Sequence, residues 1–241
     1  MLEVKNLCKS FNGKKILHDI NFSVNSGEIV AYTGPNGAGK TTTINILTTL
    51  LKPTSGMVFL NGYNVVKDSK KIRQVIGYVF EDFGLYPSLS VINNLDFIGK
   101  LYKLSEGERR RKIKEIIEFF DLREYKKTPI SKLSKGTKQK VSIAKALLHD
   151  PEILFLDEPT SGLDPLTAKN IMNLVLSLKK EGKTILMTTH LLNRAEMVSD
   201  RIILINKGKI VYNGKTSEIK RKNNNNSVED LYFTLIGDKN D

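Results

Sequence analysis

The sequence of 241 residues contains a single cysteine, Cys8, so no disulfide bond can form within the chain. It also has no run of about 18 apolar residues, the length that a membrane-spanning helix requires. No apolar stretch of about seven residues follows Met1, so we expect no secretory signal. These absences suit a protein of the reducing cytosol, and any membrane role would come through a partner.

The sequence also lacks long blocks of like charge, although its net charge is high. With 38 Lys and Arg against 26 Asp and Glu, the formal net charge is +12. Such a charge could indicate a nucleic acid or an anionic membrane surface as a partner. No block of about five like charges occurs, and this favours lysines that are scattered over solvated faces. The length suits one large domain or two small ones.

What the sequence does contain is a phosphate-binding loop with the spacing G-x-x-x-x-G-K-[ST]. An apolar stretch, 29–32, predicts a buried strand before it, and apolar residues at helical spacing up to position 51 predict a helix behind it. Glycines would let backbone N–H groups wrap closely around phosphates, where Cβ atoms would obstruct. The residues predicted to bind the triphosphate are Gly34, Pro35, Asn36, Gly37, Ala38, Gly39, Lys40, Thr41 and Thr42.

Charged and hydroxyl side chains near this loop have predicted roles. Lys40 would place its ammonium on the β- and γ-phosphates, and the Thr41 hydroxyl would ligate Mg²⁺. A second apolar stretch, 153–156, predicts a strand buried on both faces and ends in Asp157 and Glu158. Open α/β sheets bind ligands at the carboxyl ends of their strands, which places both carboxylates near the loop. Asp157 suits Mg²⁺ ligation, and Glu158 suits polarising a water against the γ-phosphate.

Two further candidates stand beside predicted strands. His190 follows an apolar strand, 184–189, and this pattern fits a structural histidine and a γ-phosphate contact equally well. Phe11 lies between strands predicted over 2–4 and 20–24, where it could stack on an adenine ring or belong to the core.

The order of the elements indicates an α/β domain with a helical insertion. Strands at 57–60 and 75–80 follow the first helix, and apolar residues at helical spacing then dominate up to about position 150. We therefore distinguish a core, 1–81 and 150–214, from a helical subdomain, 82–149.

The remainder, 215–241, is predicted to be a flexible extension with one helix. Its stretch 220–226 is of low complexity, which predicts a flexible segment. Apolar residues between 228 and 236 recur at i, i+3, i+4, i+7 and i+8, which predicts a short amphipathic helix. This helix would dock on its own domain, with a dimer contact as the alternative.

The stretch 133–140, LSKGTKQK, gives the chain a family resemblance. It resembles the signature of ABC transporter ATP-binding subunits, L-S-G-G-Q followed by a basic residue, Gln and another basic residue. The chain departs from that pattern at Lys135 and Thr137. The spacing to DEPT at 157–160 and the following SGLD also match the family, and the likeness covers essentially the whole length. It implies a P-loop NTPase (RecA-like) core of mainly parallel sheet, with an antiparallel β flank and an inserted α-helical subdomain.

The resemblance also implies roles for residues around ATP and Mg²⁺. Phe11 would stack on the adenine, and Glu158 and His190 would be catalytic. The metal ligands would be Thr41, Asp157 and Glu81. Glu81 departs from the family, which has Gln here after Pro; a carboxylate can still ligate the metal, but it adds negative charge.

A second set of residues would act on another subunit. In the family, the signature binds the phosphates of ATP on a partner, so that two ATP molecules lie between head-to-tail subunits. The residues that would do this are Ser134, Gly136 and Asp164. Because this chain keeps the glutamate after the aspartate, we expect an ATP-dependent homodimer.

We therefore expect an ATP-hydrolysing subunit that drives a separate transmembrane permease subunit, in export, at the cytoplasmic face of the cell membrane. It would reach the membrane only through that partner, and it would not contact nucleic acid directly. One alternative is a non-transport ABC-type ATPase acting on the ribosome or on nucleic acid, which the net charge alone supports. Another alternative is a module that binds nucleotide without turnover. The presence of Glu158 and His190 argues against this alternative.

Overall fold

The computed structural model describes residues 1–222 and 227–237. Its strands are β1 (Leu2–Phe11), β2 (Lys14–Val24), β3 (Ile29–Thr33), β4 (Ser55–Leu60), β5 (Tyr63–Asn64), β6 (Ile76–Val79), β7 (Ile153–Asp157), β8 (Thr184–Thr189), β9 (Arg201–Asn206) and β10 (Lys209–Lys215). Its helices are α1 (Lys40–Leu47), α2 (Ser69–Val75), α3 (Val91–Leu101), α4 (Glu106–Phe119), α5 (Lys135–Leu147), α6 (Pro165–Lys180), α7 (Leu192–Val198), α8 (Thr216–Lys222) and α9 (Val228–Gly237). A 3₁₀ turn, Ile130–Lys132, precedes α5.

A six-stranded sheet in the order β10-β9-β3-β8-β7-β6 forms the centre of the domain. All neighbouring strands pair in parallel except β10, which pairs antiparallel with β9. β3, β7 and β8 are buried along their whole length, as expected of apolar runs without alternation. Because these three strands are neighbours and run in the same direction, the loops that follow them meet at one edge of the sheet.

The antiparallel flank is a separate four-stranded sheet in the order β2-β1-β4-β5. The hairpin of β1 and β2 turns at Asn12 and Gly13, whose φ angles of 47° and 78° are typical of a tight hairpin turn. The strand predicted over 57–60 belongs to this flank as β4, since it pairs with β1. One hydrophobic core joins the two sheets and includes Leu2, Val4, Ile20, Tyr32, Phe155 and Leu186.

Between β6 and β7 the chain forms helices α3, α4 and α5. Each begins after a serine whose side chain accepts a backbone N–H, namely Ser90, Ser105 and Ser134. Ser105 and Glu108 complete a capping box. The apolar faces of the three helices form a second core against the other face of the six-stranded sheet, with members such as Leu95, Ile113, Ile117, Val141, Leu148 and Leu154.

The helix after the phosphate loop is shorter than the sequence predicts. α1 ends at Leu47, so Leu50 and Leu51, which continue the apolar spacing, lie outside it. Thr49 has a φ of 66°, and the amides of Leu50 and Leu51 both donate to the carbonyl of Asn45. The left-handed residue ends the helix, which apolar spacing alone does not reveal.

The last described helix, α9, packs against α7 of the same chain. Val228 is buried, and its amide donates to Glu196. Part of the predicted low-complexity segment, 223–226, lies outside the described residues. Within the described ranges, the helices lack the combination of length and apolar character needed to cross a bilayer.

Candidate active site

A cleft of about 470 Å³ opens at the carboxyl ends of the central strands, beside the N-terminus of α1. It brings together the phosphate loop, the end of β1 and the segments that follow β6, β7 and β8. Its lining residues are Phe11, Ile16, Asn36, Gly37, Gly39, Lys40, Thr41, Thr42, Glu81, Glu158, Ser161 and His190. The fold therefore places most of the predicted ATP-site residues around one opening.

The three loop glycines are needed for different reasons, and two of them, Gly37 and Gly39, line the cleft. A Cβ at Gly34 would collide with the carbonyl oxygen of Ile205, and one at Gly39 would lie 2.6 Å from Leu17 Cδ2. Gly37 has open space at its Cβ position but a φ of 78°. Packing behind the loop is thus a further reason for glycine at Gly34 and Gly39, beside the predicted close approach of the backbone to phosphates. Gly34, Pro35 and Ala38 do not line the cleft.

The loop offers a set of unused backbone donors. Among the described residues, the only hydrogen bonds donated by backbone N–H groups from Gly37 to Thr43 are those from Ala38 to Pro35 and from Thr43 to Gly39. The amides left without a protein acceptor are those of Gly37, Gly39, Lys40, Thr41 and Thr42. Unpaired N–H groups at the start of a helix favour an anion, so the loop fits the phosphates of a nucleotide.

Lys40 is the positive charge of the cleft. Its side chain is buried, and its ammonium donates to the carbonyl oxygens of Gly34 (2.8 Å) and Pro35 (3.2 Å). Glu158 Oε1 lies 3.6 Å from the same nitrogen. A buried charge requires such partners, and they hold the ammonium beside the unused amides.

Asp157 is buried at the end of β7 and is held by two side chains from neighbouring strands. Its Oδ1 accepts the Thr188 hydroxyl at 2.5 Å, and its Oδ2 accepts the Tyr78 hydroxyl at 3.4 Å. Burial raises the pKa of Asp157, and the Thr188 hydrogen bond opposes the shift. Burial also raises the pKa of Tyr78. Asp157 is fixed beneath the cleft rather than on its wall.

Glu158 adopts a strained backbone conformation that turns its side chain towards the cleft. Its φ is 48°, which is unusual for a residue other than glycine and typical of functional positions. Its amide donates to Thr188 Oγ1 at 3.0 Å. Its Oε2 lies 3.0 Å from Nδ1 of His190, so the two predicted catalytic side chains are in direct contact. Thr188 therefore holds the Asp157 carboxylate and the backbone of Glu158 at once.

Mg²⁺ fits this cleft only together with a nucleotide. Among the described residues, no group of three His, Cys, Asp or Glu side chains could hold a metal by itself. Thr41 and Glu81 line the cleft, and Asp157 lies below it with lone pairs left over after two hydrogen bonds. Mg²⁺ takes few protein ligands when phosphates and waters supply the others, and these oxygen donors suit that arrangement.

Phe11 lies on the wall of the cleft and is 43% exposed, so it does not belong to the core. The Lys9 ammonium lies 4.8 Å from its ring centroid. An exposed ring at the mouth of the cleft is available for stacking on a planar base.

Ser134, Gly136 and Asp164, which we call the signature surface, do not line the cleft. Ser134 caps α5 by accepting the Thr137 amide, and Asp164 caps α6 by accepting the Thr167 amide. A Cβ at Gly136 would collide with the Thr167 side chain. The starts of α5 and α6 thus meet at Thr167, and the signature surface is one continuous patch.

A sequence model described as ABC transporter matches residues 17–161. The chain belongs to the ABC transporter family. It is 33% identical to the ABC transporter ATP-binding protein NatA of Bacillus subtilis over 98% of both chains. It is 37% identical to the linearmycin resistance ATP-binding protein LnrL of the same organism, over 91% of this chain and 70% of that one.

The structure is also similar to a solved ATP-binding cassette. That structure, titled a dimeric post-hydrolysis state bound to ADP and Pi, has a TM-score of 0.81 and 33% identity, covering 90% of this chain and 99% of the other. The expected fold class, a P-loop NTPase core with an inserted helical subdomain, is confirmed. The chain is an ATPase of the ABC type.

Several residues of this ABC ATPase site escape the sequence patterns. Thr188 and Tyr78 contact Asp157, Ile16 and Ser161 line the cleft, and Thr167 joins the two parts of the signature surface. For Thr188 a signal existed, because two threonines follow four apolar or buried positions at the end of β8. The others are recognisable only once distant strands and helices are brought together.

Proposed function

We propose that this ABC ATPase binds Mg²⁺ and ATP in the cleft, closes as a homodimer and drives a separate transmembrane subunit, in export. The observation that carries the proposal is the separation of two sets of residues. Lys40, Glu158 and His190 surround one cleft, whereas the signature surface of the same chain lies outside it. The signature surface is therefore free to serve the cleft of a second copy.

Within the cleft, the unused amides and Lys40 bind the phosphates, and Phe11 stacks on the base. Bound Mg²⁺ would supply charge neutralisation at the β- and γ-phosphates, with Thr41, Asp157 and Glu81 as its protein ligands. Glu158 polarises the attacking water, and His190 holds that carboxylate and contacts the γ-phosphate. Thr188 holds the side chain of Asp157 and the backbone of Glu158 in place.

In the dimer, Ser134 and Gly136 offer the N-terminus of α5 to the γ-phosphate of ATP on the partner, and Asp164 lies at the same junction. ATP then bridges two subunits, and its hydrolysis releases them. Opening and closing of the pair moves the transmembrane partner, which holds the ATPase at the cytoplasmic face of the membrane.

Export is supported by the name of one relative, a linearmycin resistance protein. The surface for the transmembrane partner is the segment after Glu81, 83–89, together with α3. Tyr86 is 46% exposed, and its ring contacts the exposed Phe97 edge-on at 4.9 Å. Paired exposed aromatic side chains suit a protein interface.

A comparison of Tyr86→Asp with Tyr125→Asp tests the role as a transporter subunit. Tyr125 is similarly exposed and is not part of the segment 83–89 or of α3. Tyr86→Asp should remove binding to membrane vesicles that contain the transmembrane partner and leave the ATP turnover of the isolated subunit unchanged. Tyr125→Asp should keep both. Equal vesicle binding by both variants would contradict the proposed partner surface.

A further inference from the structure

The segment that follows Glu81 is fastened to the helix that follows the signature. The Ser142 hydroxyl on α5 donates to the carbonyl oxygen of Phe83 at 2.7 Å. The Lys145 ammonium, one turn further along α5, donates to the same oxygen at 3.1 Å and to that of Gly84 at 2.6 Å. Three hydrogen bonds therefore join two consecutive carbonyls to one helix.

Lys145 occupies a position where a lysine is costly. Only 8% of it is exposed, and it forms no ion pair within the described residues. Burial lowers the pKa of Lys145 to about 8, and the nearby charge of Asp82 opposes this shift. Its ammonium lies 5.6 Å from the centroid of the Phe80 ring. A buried ammonium needs acceptors, and here the two backbone carbonyls supply them.

The same segment is held by a second helix at its other end. Asn94 of α3 is buried, accepts the amide of Tyr86 and donates to the carbonyls of Tyr86, Leu89 and Ser90. Residues 83–90 are thus attached to α3 and α5, whereas β6 before them belongs to the central sheet.

The chain passes from the central sheet to the helices of the insertion over a short stretch, 80–82, that contains Glu81. Phe83 and Gly84 both have left-handed backbones, with φ of 67° and 55°. A Cβ at Gly84 would lie 2.9 Å from the Phe80 ring and 3.0 Å from the Lys145 nitrogen. Among the described residues, the side chains of Glu81 and Asp82 form no hydrogen bond or ion pair, and the chain is held on either side of them by β6 and by the contacts of Phe83 and Gly84.

We propose that Lys145 and Ser142 are positioning residues for ATP hydrolysis, because they tie the backbone that places Glu81 to the helix that begins at Ser134 and Gly136. We call these three hydrogen bonds the tie. The tie makes the signature surface and the cleft of the same chain move together. When α5 approaches the ATP of a partner subunit, Glu81 shifts in its own cleft. This inference rests on the proposed function, since it assigns the tie to the closure of that dimer.

The central test replaces Lys145 by methionine, which keeps the length of the side chain and removes its donors. Lys145→Met should lower kcat about 3- to 30-fold, as expected for coupling residues that touch no ligand. KM for ATP should change less than about twofold, because the phosphate loop is intact. Lys114→Met is the matched control, since Lys114 is an exposed lysine of α4 that forms no ion pair with any described residue. Lys145→Arg should recover part of kcat.

Ser142→Ala should also lower kcat, by less than Lys145→Met, because it removes one of the three hydrogen bonds. It replaces Lys145→Met in the test if that variant does not fold. Combination of either change with Glu81→Gln should not be additive in kcat, because both act through the position of residue 81. Additive losses, or a parallel change in kcat and KM that follows the folded fraction, would overturn the inference.

Amide hydrogen exchange separates this inference from the proposed function, because it requires no turnover. Exchange in residues 83–90 should be faster in Lys145→Met than in the wild type and Lys114→Met, with the central sheet unchanged. Unchanged exchange in 83–90 would overturn the tie even in an active enzyme. A wild type without turnover would instead contradict the proposed function, while faster exchange in the variant would still support the tie.

Discussion

In the phosphate-loop cleft, Lys40, Asp157 and Glu158 are buried. Lys40 donates to a loop carbonyl and lies near the Glu158 carboxylate. Thr188 contacts the Asp157 carboxylate and the Glu158 amide. On the signature surface, Ser134 and Asp164 are exposed, and each holds only the first turn of its own helix. The charged side chains that contact one another in the cleft all come from one chain. The signature surface presents the N-termini of α5 and α6 outside that cleft.

The titration of the two aspartates follows this difference. Burial raises the pKa of Asp157 in the cleft, whereas the hydrogen bonds from Thr167 lower the pKa of Asp164 on the surface. Burial therefore disfavours the ionised form of Asp157, and its neighbours partly offset that effect. The contacts of Asp164 favour its ionised form. Changes in the cleft should affect binding of ATP by a single subunit. Changes on the signature surface should leave that binding unchanged and affect what two subunits do together.

Lys40→Ala should have the largest effect on ATP binding. Removal of the mobile positive charge should weaken ATP binding by about 10- to 150-fold, since a charge-assisted contact contributes about 1.5–3 kcal/mol. Titration calorimetry with ATP and Mg²⁺ measures the affinity, with Lys114→Ala as the control. A loss of less than about threefold would contradict the assigned role of Lys40.

Ser134→Ala should leave the affinity of a single subunit for ATP unchanged and lower kcat about tenfold or more, as expected when one donor to a phosphate is lost. Because loss of the cap also costs about 0.5–2 kcal/mol of stability, Ser134→Asp is a second variant. It keeps a capping side chain but adds a negative charge, so it should be stable and inactive in turnover.

Ser131→Ala is the control for these variants, since its exposed side chain forms no hydrogen bond within the described residues. Weaker ATP binding by monomeric Ser134→Ala would show that the signature serine belongs to the cleft of its own chain and would break the comparison.

Asp164→Asn should have the smallest effect, a small loss of thermal stability. The direction in which this loss changes with pH follows from the pKa of Asp164. The folded state lowers the pKa of Asp164, so the unfolded chain binds more protons at acidic pH. The stabilisation is present at neutral pH and is lost as pH falls through the lowered pKa. The difference in Tm between wild type and Asp164→Asn should therefore shrink towards acidic pH, with Asp121→Asn as an exposed control. A constant difference would contradict the capping role.

The sequence predicts those parts of the site that rest on local spacing. The phosphate loop, the carboxylates after β7 and the histidine after β8 each follow an apolar strand, and strand ends in a parallel sheet converge. The pattern predicts Lys40 and Glu158 close together and leaves two roles open for His190, and all three line one cleft. The helical insertion likewise follows from the change in apolar period after β6.

Contacts between elements far apart in sequence leave no such pattern. The contacts of Thr188 with the Asp157 carboxylate and the Glu158 amide require the pairing of β7 with β8, and the need for Gly34 arises from the carbonyl of Ile205. The end of α1 depends on the backbone of Thr49 rather than on apolar spacing. Burial and register decide these features, and the sequence shows neither directly.

The central claim is that the signature surface of one chain completes the cleft of another. Glu158→Gln keeps the shape of the cleft and removes the carboxylate that polarises water, so turnover should fall about 10²- to 10⁴-fold and ATP should stay bound. Size-exclusion chromatography of this variant should show a monomer without nucleotide and a dimer with ATP and Mg²⁺. Adding Ser134→Asp to Glu158→Gln should abolish the dimer but not ATP binding. A Glu158→Gln chain that binds ATP and stays monomeric would contradict the claim and would require another subunit for closure.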